Sequence, residues 1–281
     1  MQLVTVRVPA STSNLGPGFD CLGVALRLYN DITIRRGRSG ANSPMVAGAA
    51  RSFFQEARVR EFPFACTIEG DVPRSRGLGS SVTVRLGVIH ALNELAGRVL
   101  ARERIFEMCA ELEGHPDNAA PSAFGGFNVV RAENRQRFAI SPRLRFVLLI
   151  PEIHVETKAA RSLLPQRIPR ADAIANIGNA SAITAAFVSQ RYQDLAGAFA
   201  DRLHQPYRAR LIPILDRVIR AAESAGALGG FLSGSGSTIA ALTLRSPARI
   251  AAAMQTAAGR TRAQTVITVA DNRGARVLRS A

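Results

Sequence analysis

The chain has 281 residues, of which 47% are apolar and 20% charged. That balance fits one large or two small globular domains with a buried core and argues against a disordered chain. Basic residues outnumber acidic ones 36 to 21, a formal charge of +15, and all but Lys158 are arginine. The arginines are scattered. The small cluster Arg35, Arg36 and Arg38 is not a continuous run, and aromatics are only 6%, so no nucleic-acid partner is expected. A positive field would equally favour an anionic substrate. No segment has the near-continuous apolar character of a membrane span of ~20 residues, so no membrane partner is expected. The start, Met1-Gln2-Leu3-Val4, lacks the pattern of a secretory signal. Cys21, Cys66 and Cys109 are odd in number and far apart. They fit a reducing cytoplasm rather than a disulfide scaffold or a zinc site.

In chain order, residues 3–8 read as a strand by their β-branched alternation. A turn-rich segment follows, with Pro9, Ser11, Ser13, Asn14, Gly16, Pro17 and Gly18. Residues 30–35 read as a strand, 43–58 as a helix and 62–69 as a strand. A helix opens after Pro73 to Ser81 and runs to about Leu95, with Val82, Leu86, Ile89, Leu92 and Leu95 on one face. A helix over 102–113 ends near Glu113. Strands are expected at Phe127–Arg131 and Leu144–Ile150. Helices at 170–188, 192–202 and 212–225 come next, then a strand–glycine loop–strand over 228–244, a helix over 247–258 and a strand over 263–269. Alternating strands and helices argue for a mixed α+β or α/β chain in two packed lobes. Pro151 marks a boundary, giving an N-terminal lobe over 1–150 and a C-terminal lobe over 151–281.

Three segments carry chemistry. Gly77-Leu78-Gly79-Ser80-Ser81 lies between a strand and an amphipathic helix. Its glycines permit unusual dihedrals, its serines supply hydroxyls and a helix cap, and a helix start favours phosphate. A Walker A loop is excluded because the only lysine is Lys158, and a Rossmann fingerprint because position 82 is Val. A plain tight turn stays open. Glu113, His115, Asp117 and Asn118 crowd six residues where a helix ends. A carboxylate near a phosphate loop suits Mg²⁺, while a helix end with a proline turn is the plainer reading. Gly229 to Thr238 is a glycine-rich turn between apolar runs, either a hairpin loop or a second backbone wall for phosphate. His90 and His204 read as solvated or capped, and the cysteines as small apolar groups.

Together with Pro9 to Ala25 these segments resemble the GHMP kinases, and within them the homoserine kinases. The stretch Asn14-Leu-Gly-Pro-Gly-Phe-Asp20 is the most specific match. Pro73 to Ser81, Glu113 to Asn118, Ser233 to Gly236, Glu156 to Arg161 and Gln205 to Arg208 are further matches. The resemblance spans the whole chain. It implies an α+β fold, with an N-terminal lobe like ribosomal protein S5 domain 2, containing a left-handed βαβ crossover, and a ferredoxin-like C-terminal lobe. It implies ATP-dependent phosphorylation of L-homoserine, a step toward threonine, in a cytoplasmic enzyme that is commonly a homodimer. It also implies ATP phosphates at Pro73, Arg74, Ser75, Arg76, Gly77, Leu78, Gly79, Ser80 and Ser81 and at Gly234, Ser235 and Gly236. Ser81 and Glu113 would hold Mg²⁺. Asn14, Asp20, Asn118, Thr157, Arg161 and Arg208 would hold the amino acid, and Asn118, Glu113 and Ser81 would form the catalytic set. Asp20 suits an ammonium, and Arg161 and Arg208 suit a carboxylate. Asn118 cannot take a proton, so positioning and charge stabilisation are expected to suffice. Departures from the family pattern are the short stretch Arg36–Ala47, Val82 in place of a small residue, and Ser237 in place of proline, which should loosen the third loop. Two other readings stay open: a GHMP kinase for another small hydroxyl acceptor, and a silent ligand sensor of the same fold.

Overall fold

Leu3–Ser13 (β1) alternates valine with polar residues over its first half, and Val4, Val6 and Val8 are fully buried. It pairs antiparallel with Leu22–Arg36 (β2), much longer than the strand expected at 30–35. A register shift at Pro9/Ala10 divides the pair. Before it the strands cover one core with Ile32 and Ile34; beyond it Ala10, Val24 and Leu26 enter another. Phe64–Gly70 (β3) and Phe127–Arg131 (β4) both pair with β2, at opposite ends of it. Asn134–Phe138 (β5) pairs with β4. The computed structural model of the chain describes residues 2–37, 40–131 and 134–280. Arg38 of the basic cluster lies outside them.

Four helices lie on one side of this sheet: Ser80–Leu95 (α2) and Pro116–Phe124 (α4) pack on its strands, and Pro44–Ala57 (α1) and Arg102–Glu113 (α3) pack on those helices. The stretch forming α4 has no expected element in the sequence, because Pro121 lies inside it. Pro116 sits at its first turn, where proline is preset for helix. Pro121 removes a single internal bond.

Arg145–Pro151 (β6), Gly229–Leu232 (β7), Ile239–Thr243 (β8) and Ala263–Val269 (β9) form a second antiparallel sheet in the order β7-β8-β6-β9. Leu215–Ser224 (α8) lies between β6 and β7 in the chain, and Pro247–Ala258 (α9) joins β8 to β9. This order is ferredoxin-like, as expected. β6 is buried on both faces, so its sequence is a continuous apolar run. Phe146, Leu148 and Ile150 face the first sheet, whereas Val147 and Leu149 face the core under α8 and α9. Arg170–Ser189 (α6) seals the joint: Phe187 stacks on Phe127 at 4.4 Å between ring centroids, a contact worth ~1 kcal/mol beyond its area.

The last strand, Arg276–Ser280 (β10), returns to pair with β1. The sheets therefore do not divide the chain at residue 150: β6 begins before that boundary yet belongs to the second sheet, and β10 lies after it in the first. The helix expected over 192–202 is only a short 3₁₀ turn, Tyr192–Leu195. Gly197, with φ at 79°, turns the chain there. Two short helices, Thr157–Ser162 (α5) and Gln205–Arg208 (α7), stand at the mouth between the sheets. Among the described residues no helix is long and apolar enough to cross a membrane.

Candidate active site

The loop before α2 and the loop between β7 and β8 are built into one another. Gly77 has φ at 74°, and a Cβ there would lie 2.1 Å from the Ser233 carbonyl oxygen. Ser233 Oγ donates to the Gly77 carbonyl at 2.6 Å, and Thr238 N donates to the Arg76 carbonyl at 3.1 Å. β1 joins both: Ser11 N donates to the Leu78 carbonyl at 3.2 Å, and Gly234 N donates to the Ser13 carbonyl at 3.2 Å. Glycine at 77 and 79 is thus required by positive φ and by close backbone approach. The helix cap differs from expectation. The N-cap of α2 is Gly79 at φ 67°, with no side-chain bond, rather than a serine. The first-turn N–H groups are left for a ligand, which is the arrangement an anion needs.

These loops wall a cleft of about 760 Å³. Of the residues expected there, Asn14, Asp20, Arg74, Ser75, Arg76, Gly77, Gly79, Ser80, Ser81, Glu113, Asn118, Thr157, Arg161, Arg208, Gly234 and Ser235 line it. Three do not. Leu78 is 1% exposed and packs in the core between the sheets. Gly236 backs onto Ile212 and Leu232. Pro73 faces a neighbouring cleft that it shares with Arg76 and Arg260. Met45, Ile68 and Val84 add an apolar end that the sequence did not reveal. Asn42 is not part of it: its amide bonds the Phe64 carbonyl and accepts from Cys66 N, tying the loop to β3. Ser237 is not loose either. Its hydroxyl donates to the Ile153 carbonyl at 2.6 Å, which fixes the loop where a proline was expected.

Ser81 Oγ donates to Glu113 Oε2 at 2.9 Å, so the hydroxyl and carboxylate expected to act together do meet. Arg85, one turn on from Ser81 along α2, donates to Glu113 Oε1 at 2.5 Å and to the Leu112 carbonyl at 2.8 Å. Its i+4 spacing from Ser81 was the available signal for this residue. Asn118 Nδ2 donates to Ser13 Oγ at 2.9 Å and its Oδ1 accepts from Ser11 Oγ at 3.1 Å. Asn14 sits in left-handed backbone at φ 71°. Its Nδ2 donates to the Gly234 carbonyl and its Oδ1 accepts from Asp20 N, both at 3.0 Å. Arg161 donates through both terminal nitrogens to Asp20, at 2.7 and 3.0 Å. The hydroxyls of Thr157 and Ser235 meet at 3.3 Å.

Two histidines depart from expectation. His204 is fully buried, not solvated, and lies against Arg208. Burial lowers the pKa of His90 to about 4, and its Nε2 has no partner among the described residues. Beside the cleft, burial lowers the pKa of His115, with Arg161 adding to it.

Asp117 is 2% exposed, and its Oδ1 has no hydrogen-bond partner among the described residues. Burial first, then the charge of Asp20, raises its pKa to about 6. A carboxyl harder to ionise folded than unfolded contributes stability at low pH and loses it as pH rises through the folded value. Asp117→Asn should therefore stabilise the protein at neutral pH by about 3 kcal/mol and hardly at pH ~4. Urea melts at both pH values measure this; an equal gain at each would mean that ionisation is not the cause.

The GHMP kinase N-terminal domain family matches residues 44–126, and the GHMP kinase C-terminal family matches residues 183–260. A homoserine kinase of Caldicellulosiruptor bescii is 38% identical over 85% of this chain and 84% of its own. One from Clostridium botulinum is 37% identical over 85% and 86%. The crystal structure of homoserine kinase from Cytophaga hutchinsonii superposes with a TM-score of 0.90, at 26% identity, over 99% of this chain and 98% of that one. A mevalonate kinase from Methanococcus jannaschii, 13% identical, shares the fold with a TM-score of 0.74 over 95% and 98%. The chain belongs to the homoserine kinase family of the GHMP kinases.

Proposed function

We propose that the cleft holds ATP and L-homoserine side by side and makes ADP and O-phospho-L-homoserine, with the work divided among its side chains. Membership of the family makes the chain a kinase with ATP as co-substrate. The observation that supports the division of roles is that an uncapped helix start, the Ser81–Glu113 pair and the Asp20–Arg161 pair line one cleft. Residues 74–77 and 79–81, with Gly234 and Ser235, would hold the phosphates. Met45, Ile68 and Val84 offer the base an apolar surface. Asn14 and Asp20 would take the ammonium, Arg161 and Arg208 the carboxylate, and Asn118 and Thr157 the hydroxyl side. In lobe terms, residues 1–150 would supply most of the nucleotide side, and the amino-acid clamp would draw equally on 1–150 and 151–281.

Mg²⁺ fits the donor set. A hydroxyl and a carboxylate 2.9 Å apart are hard oxygen ligands. Among the described residues no cluster of three or more acidic, His or Cys side chains could hold a metal alone, so phosphate and water would complete the shell. Ser81 and Glu113 would hold Mg²⁺, which would supply neutralisation of phosphate charge. The chain's own part is to orient. Ser11 and Ser13 fix the Asn118 amide, which can accept a hydrogen bond from the substrate hydroxyl but not its proton. A loose phosphoryl-transfer transition state asks little of a base, so alignment and the α2 N–H groups carry the reaction. Asn118→Asp should accordingly give no gain in kcat and no new rising limb in the pH profile. A faster enzyme with such a limb would establish a base at that position.

The test is ADP release from Mg²⁺–ATP with L-homoserine, mevalonate, galactose, L-threonine and L-serine as acceptors. Selective turnover of L-homoserine is expected. Selective turnover of another acceptor would overturn the amino-acid clamp, and ATP binding without any turnover would favour a sensor. Cys21, Cys66 and Cys109 are all free, which supports the cytoplasmic location expected for the chain. For the expected homodimer, Ile174 and Ile177 on α6, 62% and 66% exposed, form the apolar surface offered to a second copy.

A further inference from the structure

Arg208 is 2% exposed and makes no ion pair with any described residue, an unusual state for a guanidinium. Backbone and one histidine hold it instead. Its Nε donates to the Ala160 carbonyl at 3.4 Å. Its Nη1 donates to the Gly234 carbonyl at 3.0 Å and to His204 Nδ1 at 3.3 Å. Nη2 makes no hydrogen bond with the described residues. Three bonds fix the plane of the fork, and the remaining arm is left for the cleft that Arg208 lines.

His204 can accept at Nδ1 because Nε2–H donates to the Gly16 carbonyl at 2.8 Å, which sets the tautomer. Burial lowers its pKa to about 4, so the ring is neutral near pH 7 and adds no charge beside Arg208. Asp201 anchors the turn that carries it, accepting from Leu203 N, His204 N and Gln205 N. Phe19 completes the frame. Its ring lies 5.1 Å from the Arg208 Cζ, 5.2 Å from the Arg161 Cζ and 5.1 Å from the His204 ring. Two guanidiniums that repel each other thus share one aromatic ring, which favours cations on its face.

We propose that His204 and Phe19 are positioning residues for acceptor choice: they hold Arg208 and Arg161 side by side with Arg208 Nη2 free, so that an amino alcohol bearing a carboxylate is taken in preference to the same molecule without one. This rests on the reading that Arg208 and Arg161 receive the substrate carboxylate. Neither His204 nor Phe19 touches the reacting atoms. Their effect runs through the geometry of the fork, where a neutral, tautomer-locked acceptor and an aromatic ring hold the guanidinium as an acidic residue would, without cancelling its charge.

The experiment compares L-homoserine with 3-aminopropan-1-ol, the same amino alcohol lacking the carboxylate, on the full chain. Turnover is measured for both, with Ki as competitor where 3-aminopropan-1-ol is turned over too slowly. His204→Phe and Phe19→Leu should raise KM for homoserine about tenfold, with KM for ATP and the constant for 3-aminopropan-1-ol within about twofold of the parent. His204→Asn, which returns an acceptor near Nδ1, and Phe19→Tyr, which keeps the ring, should recover most of the loss. Equal loss on both acceptors, or no loss on homoserine, would overturn the proposal. If His204→Phe melts early, His204→Asn and Phe19→Leu decide it, because recovery by asparagine and loss by leucine are both required. Arg208→Gln is measured in parallel. If it weakens both acceptors alike, the carboxylate role of Arg208 fails, and that result is distinct from a failure of His204 and Phe19 while Arg208→Gln still discriminates.

Discussion

Glu113→Ala should lower kcat about a thousandfold, ~4 kcal/mol of transition-state stabilisation, while the protein stays folded. The carboxylate sits between two donors, Ser81 Oγ at 2.9 Å and Arg85 Nη1 at 2.5 Å. Alanine removes the proposed metal ligand and also leaves a partly buried arginine without its partner. Glu113→Gln separates these effects. Glutamine is an acceptor of the same length, so it can keep a bond from Ser81 or Arg85, but it has no charge. The glutamine variant should melt close to the parent yet lose nearly as much turnover as alanine. Near-normal kcat in either variant would remove Glu113 from the reaction centre. An early melt in both would assign it to structure. Titrating Mg²⁺ at fixed ATP adds a second readout, since a lost ligand raises the concentration needed for half-maximal rate.

Arg161→Ala should raise KM for homoserine about a hundredfold, ~3 kcal/mol, and change KM for ATP by less than about twofold. Arg161 bonds Asp20 through both terminal nitrogens. Each is therefore the other's stand-in for substrate: the carboxylate of Asp20 occupies the fork that a substrate carboxylate would take. Homoserine is a zwitterion that can replace both halves of this pair at once, its carboxylate on Arg161 and its ammonium on Asp20. Arg161→Lys should recover only part of the loss, because one ammonium cannot match a two-point fork. Equal rises in both KM values would place Arg161 in lobe packing instead. An acceptor lacking one of the two charges would leave either Arg161 or Asp20 unmatched.

The parts legible in the sequence were those with strong local signals. Residues 77–81 carry two glycines and two serines at a strand–helix junction, and their close contact with 233–236 and β1 shows why glycine stands there. The periodic helices α2, α3 and α9 fell where the apolar spacing put them. Elements held by distant partners were not legible. β5, Asn-Arg-Gln-Arg-Phe, has almost no apolar residue and exists through its ladder to β4. The N-terminal part of β2 carries no expected element in the sequence, yet β1 and β4 hold it extended. His204 is polar and stands beside a proline turn, so it reads as solvated or capped, and nothing local to Arg208 marks that side chain as buried. Their burial comes from partners remote in the chain: Gly16 lies 188 residues from His204, Gly234 lies 26 from Arg208, and Phe19 comes from the N-terminal lobe. Arg85 sits where a helix with a regular apolar stripe would carry an ordinary solvated charge, and only the packing of α3 brings Glu113 to it.

β10 lies against β1, so the first strand of the chain is completed by the last. During synthesis the outer edge of β1 stays unpaired until residue 276 and beyond have emerged, and the lobe that bears the phosphate loop waits on the whole of the other lobe. The halves are therefore interleaved rather than joined end to end. Neither is expected to persist as an excised fragment, and a circular permutant joining the two ends would tether β10 beside the strand it pairs with. Such a permutant should refold faster than the parent.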